Sequence, residues 1–131
     1  MGALALSMFL VSCKKDGTTS VTPTKENLTG SYKLTAASFN GQEVLSNDMY
    51  FEACERDDVY RLNADMSYER QDAGTVCSPA GDESGSWEFT SSTAITIDGV
   101  PYKVDSFDGR SLKVSLDMGQ NMILKSTFTK Q

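Results

Sequence analysis

The segment Ala94-Ile95-Thr96-Ile97-Asp98-Gly99-Val100-Pro101-Tyr102-Lys103-Val104 spells out a β-hairpin. Ile95 and Ile97 alternate with polar neighbours and run into Asp98-Gly99, a dipeptide that supplies the positive φ of a type I′ turn. Tyr102 and Val104 carry the alternation onward. The same grammar repeats downstream, where Asp108-Gly109 turns the chain into Leu112, Val114 and Leu116. Asp117 to Asn121 then turns it into Met122, Leu124 and Phe128.

Upstream the period of two persists. Trp87 and Phe89 share a face, and Asp58-Val59-Tyr60-Arg61-Leu62 alternates before Asn63-Ala64-Asp65-Met66 turns the chain into Ser67-Tyr68-Glu69-Arg70. Tyr32, Leu34 and Ala36 alternate with Ser31, Lys33 and Thr35, and Asn40-Gly41 marks a turn. No segment carries a helical period, although Ser46 to Cys54 has room for one helical turn. Short alternating strands with regular turn signals predict an all-β, antiparallel fold. Connections this short favour an up-and-down barrel, and about eight strands close without exposed edges.

The remaining composition narrows the class. The chain has 131 residues and a formal net charge of -6, unevenly placed. Between Glu43 and Glu88 twelve acidic residues face only Arg56, Arg61 and Arg70, so that region is strongly acidic while the remainder is net basic. This balance argues against nucleic acid, which calls for a basic stripe. No histidine is present, so a Ser-His-Asp triad is excluded and common zinc sites are disfavoured. Neither a phosphate-binding Gly-x-x-x-x-Gly-Lys loop nor a dinucleotide fingerprint occurs. The one dense carboxylate cluster, Asp57-Asp58 with Glu52, Glu55 and Asp65, lacks the spacing of a calcium loop. It reads as solvated strand-edge charge, or as carboxylates bonding the loop near Cys54. The chain is therefore expected to be non-enzymatic, with no cofactor and no metal.

Met1 to Ser12 forms an apolar run that closes on Leu10-Val11-Ser12-Cys13. That ending resembles a lipobox, at which a bacterial signal peptidase cuts before a cysteine that is then acylated. No Lys or Arg precedes the run, as a secretory signal normally has; a start codon placed too late accounts for this, and an apolar first strand or a short buried helix is the alternative. Residues 1–12 are thus expected to be a cleaved lipoprotein signal, and 13–27 the lipidated Cys13 with a polar, Thr-rich flexible tether. The barrel is expected over 28–131. Lys14-Lys15 after the cysteine points to the outer membrane, on its periplasmic or cell-surface side. Cys54 and Cys77 remain as an even pair, which an oxidising compartment favours as a disulfide.

From Leu28 to Lys130 the chain resembles the lipocalin-like domain of small Bacteroidota-type bacterial lipoproteins. The matching residues are Gly30-Ser31-Tyr32, Cys54 through Leu62, Asn63-Ala64-Asp65 before Tyr68, Gly74 with Cys77, and Gly85-Ser86-Trp87. Two positions depart from the pattern. Tyr32 stands where lipocalins usually carry tryptophan, and Met66 where the turn commonly has glycine. Because a two-residue I′ turn would force Met66 to positive φ, a different or longer turn is expected there.

Function then divides on the barrel's interior. Tyr32, Tyr60, Trp87, Tyr102 and Phe128 fall on inward parity, and in a hollow barrel they would line a cup for a small apolar or amphipathic ligand. In a filled barrel the same residues are core, and the acidic face docks on another envelope protein. The sequence leaves both open.

Overall fold

A computed structural model of the chain describes residues 20–131; the expected signal and Cys13 lie outside the described residues. A short helix, α1 (Lys25–Leu28), precedes nine strands: β1 (Gly30–Phe39), β2 (Gln42–Glu43), β3 (Val59–Leu62), β4 (Ser67–Gln71), β5 (Glu83–Ser91), β6 (Ala94–Ile97), β7 (Val100–Phe107), β8 (Ser111–Asp117) and β9 (Ile123–Lys130). Every pairing is antiparallel, and β9 returns to β1. The circuit β1-β3-β4-β5-β6-β7-β8-β9 is therefore a closed eight-stranded up-and-down barrel, with β2 a two-residue addition along the far half of β1. The predicted all-β barrel is the observed fold.

One end of this barrel is plugged. Thr24 caps α1 reciprocally with Asn27, the Asn27 N–H donating to Thr24 Oγ1 at 3.1 Å and the Thr24 N–H to Asn27 Oδ1 at 2.7 Å. This capping box satisfies donors that a four-residue helix would otherwise leave open. The helix drives Leu28, fully buried, onto Tyr32, Trp87 and Phe107. Each such side chain contributes roughly 1.5–3 kcal/mol by leaving water. The Tyr32 hydroxyl donates to Leu28 O at 2.6 Å, and Lys130 Nζ donates to Asn27 O at 2.6 Å and Thr29 O at 3.1 Å. The Val21 N–H donates to Phe107 O at 2.8 Å, so packed chain begins ahead of Leu28, where the apolar alternation starts.

Two details differ from the sequence reading. The β1–β9 register slips between Leu34 and Ala36, and a bulge reverses the parity of the strand beyond it. Ala37, not Ala36, is consequently buried. The β3–β4 connection is the longer turn expected, with the Met66 N–H donating to Asn63 O and the Asn63 N–H to Ser67 O, both at 3.0 Å. Met66 nevertheless adopts φ 70°, because a three-residue loop of this type ends in a left-handed residue. The strain, about 1–2 kcal/mol, is offset by the Met66 side chain packing on the core.

Candidate functional site

Above the plug the barrel is hollow. A cavity of about 90 Å3 is lined by Tyr32, Tyr60, Leu62, Tyr68, Ile95, Ile97, Tyr102, Leu112, Val114 and Phe128. Strand alternation puts these side chains here: Tyr60 and Leu62 of β3, Ile95 and Ile97 of β6, and Leu112 and Val114 of β8 are successive inward positions. Four of the five aromatic residues singled out from sequence, Tyr32, Tyr60, Tyr102 and Phe128, stand in this wall. Trp87 does not. It lies in the plug with no exposure, its indole Nε1–H donating to Asn63 O at 2.9 Å. Its inward parity was legible, its depth along the barrel was not. The aliphatic half of the wall, passed over in the sequence reading, was signalled by the same period of two.

The wall has polar handles. Tyr60 meets Phe128 edge to face, ring centroids 5.2 Å apart. The Tyr32 hydroxyl is committed to Leu28 O, whereas those of Tyr60, Tyr68 and Tyr102 take no hydrogen-bond partner among the described residues. Burial pushes all three phenols above their ordinary pKa. They are therefore neutral at physiological pH, each able to donate or accept within an otherwise apolar cup.

The far end, the mouth, is charged. Asp58, Arg70 and Asp72 continue the inward parity of Tyr60 and Tyr68. Arg70 stacks over the Tyr60 ring at 5.9 Å and holds Asp58 Oδ2 through Nε at 2.9 Å and Nη2 at 2.8 Å. Its guanidinium also approaches Glu55 at 3.5 Å and Glu83 at 3.8 Å. Burial opposes the charge on Arg70, but the bond to Asp58 and the negative groups around it raise its pKa overall. The Asp58 side chain has no exposure, and burial pushes its carboxyl up despite the pull of Arg70. This corrects the reading of Asp58 as solvated edge charge. Its neighbours do bond the loop: Asp57 Oδ2 accepts from the Thr75 N–H at 2.6 Å, and Asp72 Oδ2 from the N–H groups of Cys77 at 2.9 Å and Gly81 at 2.7 Å. Gly74, at φ 63°, is needed there because a Cβ would collide with the Asp57 carboxylate. The Gly81 N–H foremost keeps Asp72 below the usual carboxylate range.

Cys54 and Cys77 are joined in a disulfide, as expected, with Cα atoms 5.2 Å apart. It ties the β2–β3 connection to the β4–β5 loop across the mouth. Among the described residues the one convergence of three potential metal ligands is Glu52, Cys54 and Cys77, and both of its sulfurs are spent on the disulfide. Among the described residues, Met49, Tyr50, Val76, Val100 and Met118 are the exposed large apolar side chains, and every one sits in or beside a mouth-side connection.

A family model described as a lipocalin-like domain matches residues 28–115, from Leu28 into β8. No curated protein gives a significant match to the chain.

Proposed function

The chain belongs to the lipocalin-like domain family, and from that premise we propose that it is a non-catalytic binding protein holding a small apolar or amphipathic ligand in its barrel. The observation that carries this reading is the cavity itself: apolar walls, three unpartnered phenols and a floor sealed by Leu28, Tyr32, Trp87 and Phe107. Ligand sites are typically of this kind, largely apolar with a few placed polar groups. The mechanism is burial of the ligand's apolar part against Ile95, Val114 and Phe128, with Tyr60 or Tyr102 meeting its polar atom.

We further propose that the protein is anchored to the outer membrane through a lipid on Cys13. Support comes from the lipobox-like Leu10-Val11-Ser12-Cys13. Chain entering at α1 approaches from the plugged end, so an anchored barrel would present its mouth away from the membrane. A second reading, docking on an envelope protein, is favoured by the five exposed apolar residues beside the mouth.

One experiment addresses these readings together: native mass spectrometry of the protein extracted from its own membranes. A chain beginning at an acylated Cys13, with an additional apolar compound released on denaturation, is the expected result. A bare barrel, repeatedly recovered with a stoichiometric protein neighbour and no small molecule, would replace binding with docking. A chain retaining residues 1–12 would end the anchor proposal.

A further inference from the structure

Resting on the cup reading above, we infer that the ligand is a short amphiphile bearing a positive charge, an alkylamine in chemical class, with its apolar part in the cavity and its ammonium at the mouth. The charge distribution along the barrel axis is the first argument. The mouth-side connections, residues 40–58, 72–82, 98–99 and 117–122, hold ten acidic residues against Arg56 alone; the plug-side connections, 20–29, 63–66, 92–93 and 108–110, hold three against Lys25 and Arg110. Apolar walls below such a rim focus its field on the cavity entrance.

Among the described residues two cations sit over rings of the cup wall. Lys130, over Tyr32, is spent on the plug carbonyls of Asn27 and Thr29. Arg70, over Tyr60 at the mouth, is already engaged by Asp58, Glu55 and Glu83. Only its Nη1 lacks a hydrogen bond, standing 3.8 Å from Glu83, and the three carboxylates around the guanidinium repel a fourth from a ligand. The mouth is short of donors: among the described residues Asp57 Oδ1, Asp58 Oδ1 and Asp72 Oδ1 are buried without a partner. Asp58 and Asp72 lie close enough to share one proton, and these two residues are 1% and 7% exposed. An ammonium brings three donors and a carboxylate none. The faces of Tyr60, Tyr102 and Phe128 add attraction for a cation. Size sets the remaining limit. The cavity, about 90 Å3, is smaller than the roughly 150 Å3 space known to hold benzene. It therefore suits a short chain, not a large engulfed polycycle.

The test is a set of titrations of the purified protein with hexylamine, hexanol and hexanoate at neutral pH, followed by chemical-shift changes. Hexylamine is expected to bind more tightly than hexanoate by on the order of tenfold in dilute salt, with hexanol between them. The preference should shrink in about 1 M salt, where screening acts within roughly 3 Å. Asp98→Asn with Asp117→Asn, which keeps both turns while removing two mouth charges, should reduce it about two- to threefold and leave hexanol unaffected. Hexanoate binding as tightly as hexylamine would overturn the charge inference and leave the cup standing. An amine preference indifferent to salt and to the double variant would overturn its electrostatic origin. Binding by none of the three would remove the cup reading, and this inference with it.

Discussion

Arg70 and Asp58 form a buried charge pair at the mouth of the barrel. The arginine reaches into the mouth from β4 to an aspartate without exposure, so removing the arginine strands a buried carboxylate, whereas Arg70 would keep Glu55 and Glu83. Arg70→Met is expected to lower stability by about 3–5 kcal/mol, whereas Arg70→Met combined with Asp58→Asn should recover most of that loss, since the orphaned charge is then gone. Urea unfolding of the two variants decides it: equal losses would show that packing of the arginine stem, not the charge pair, is what matters. The pair was only partly visible in the sequence. Asp58 stood out as one of a carboxylate cluster, and the alternation through Tyr60 and Leu62 gave it inward parity. Its partner twelve residues on required the β3–β4 register, in which Tyr60 lies opposite Arg70.

At the scale of elements, strands were far more legible than the segments that join them. Asp98-Gly99 announced its hairpin because a two-residue turn needs positive φ at both positions, whereas in the 108–110 connection only Gly109 takes it. The bulge after Leu34 had no such mark, and it alone moved burial from Ala36 to Ala37. In 44–58 the sequence offered only room for a helical turn from Ser46 to Cys54, and 72–82 carries no apolar period; the order of both comes from tertiary contacts that composition does not encode. Arg56 pins the first, its Nε–H donating to Leu45 O at 2.7 Å and its Nη2–H to Phe51 O at 2.9 Å. The Asp72 carboxylate gathers the second. The disulfide, spanning 23 residues, then fastens one to the other. Reduction is expected to cost about 3 kcal/mol, on the loop-entropy model. Hydrogen exchange should quicken in 44–58 and 72–82 while β7, β8 and β9 stay protected. Uniform loss of protection across the barrel would show instead that the bridge holds up the whole fold.

For the molecule as a whole, carboxylates set the response to pH in two opposed directions. Asp72, held low first by the Gly81 N–H, and Asp65, Asp108 and Glu43, held low first by Ser67, Ser111 and Ser46, are all depressed. Their contribution is complete above the ordinary values of 3.8 for Asp and 4.5 for Glu, and it disappears as pH falls through the depressed ones. Asp58, raised by burial, behaves oppositely: its contribution is complete below 3.8 and is lost as pH rises through its elevated value. The urea midpoint should therefore drop in acid and also decline on the rising side, and Asp58→Asn should abolish the second decline alone. A rising limb that persists in Asp58→Asn would assign it to other groups. The closed circuit of strands has one more consequence. Val21 and Lys130 bond to the two sides of a single hairpin, at Phe107 O and Arg110 O, while Lys130 also clasps α1. Both ends of the described chain thus emerge beside the same turn. A circularly permuted barrel, with Gln131 linked to Ser20 and new termini cut at 118–122, would keep every strand neighbour and move the loose ends from the sealed pole to the open one.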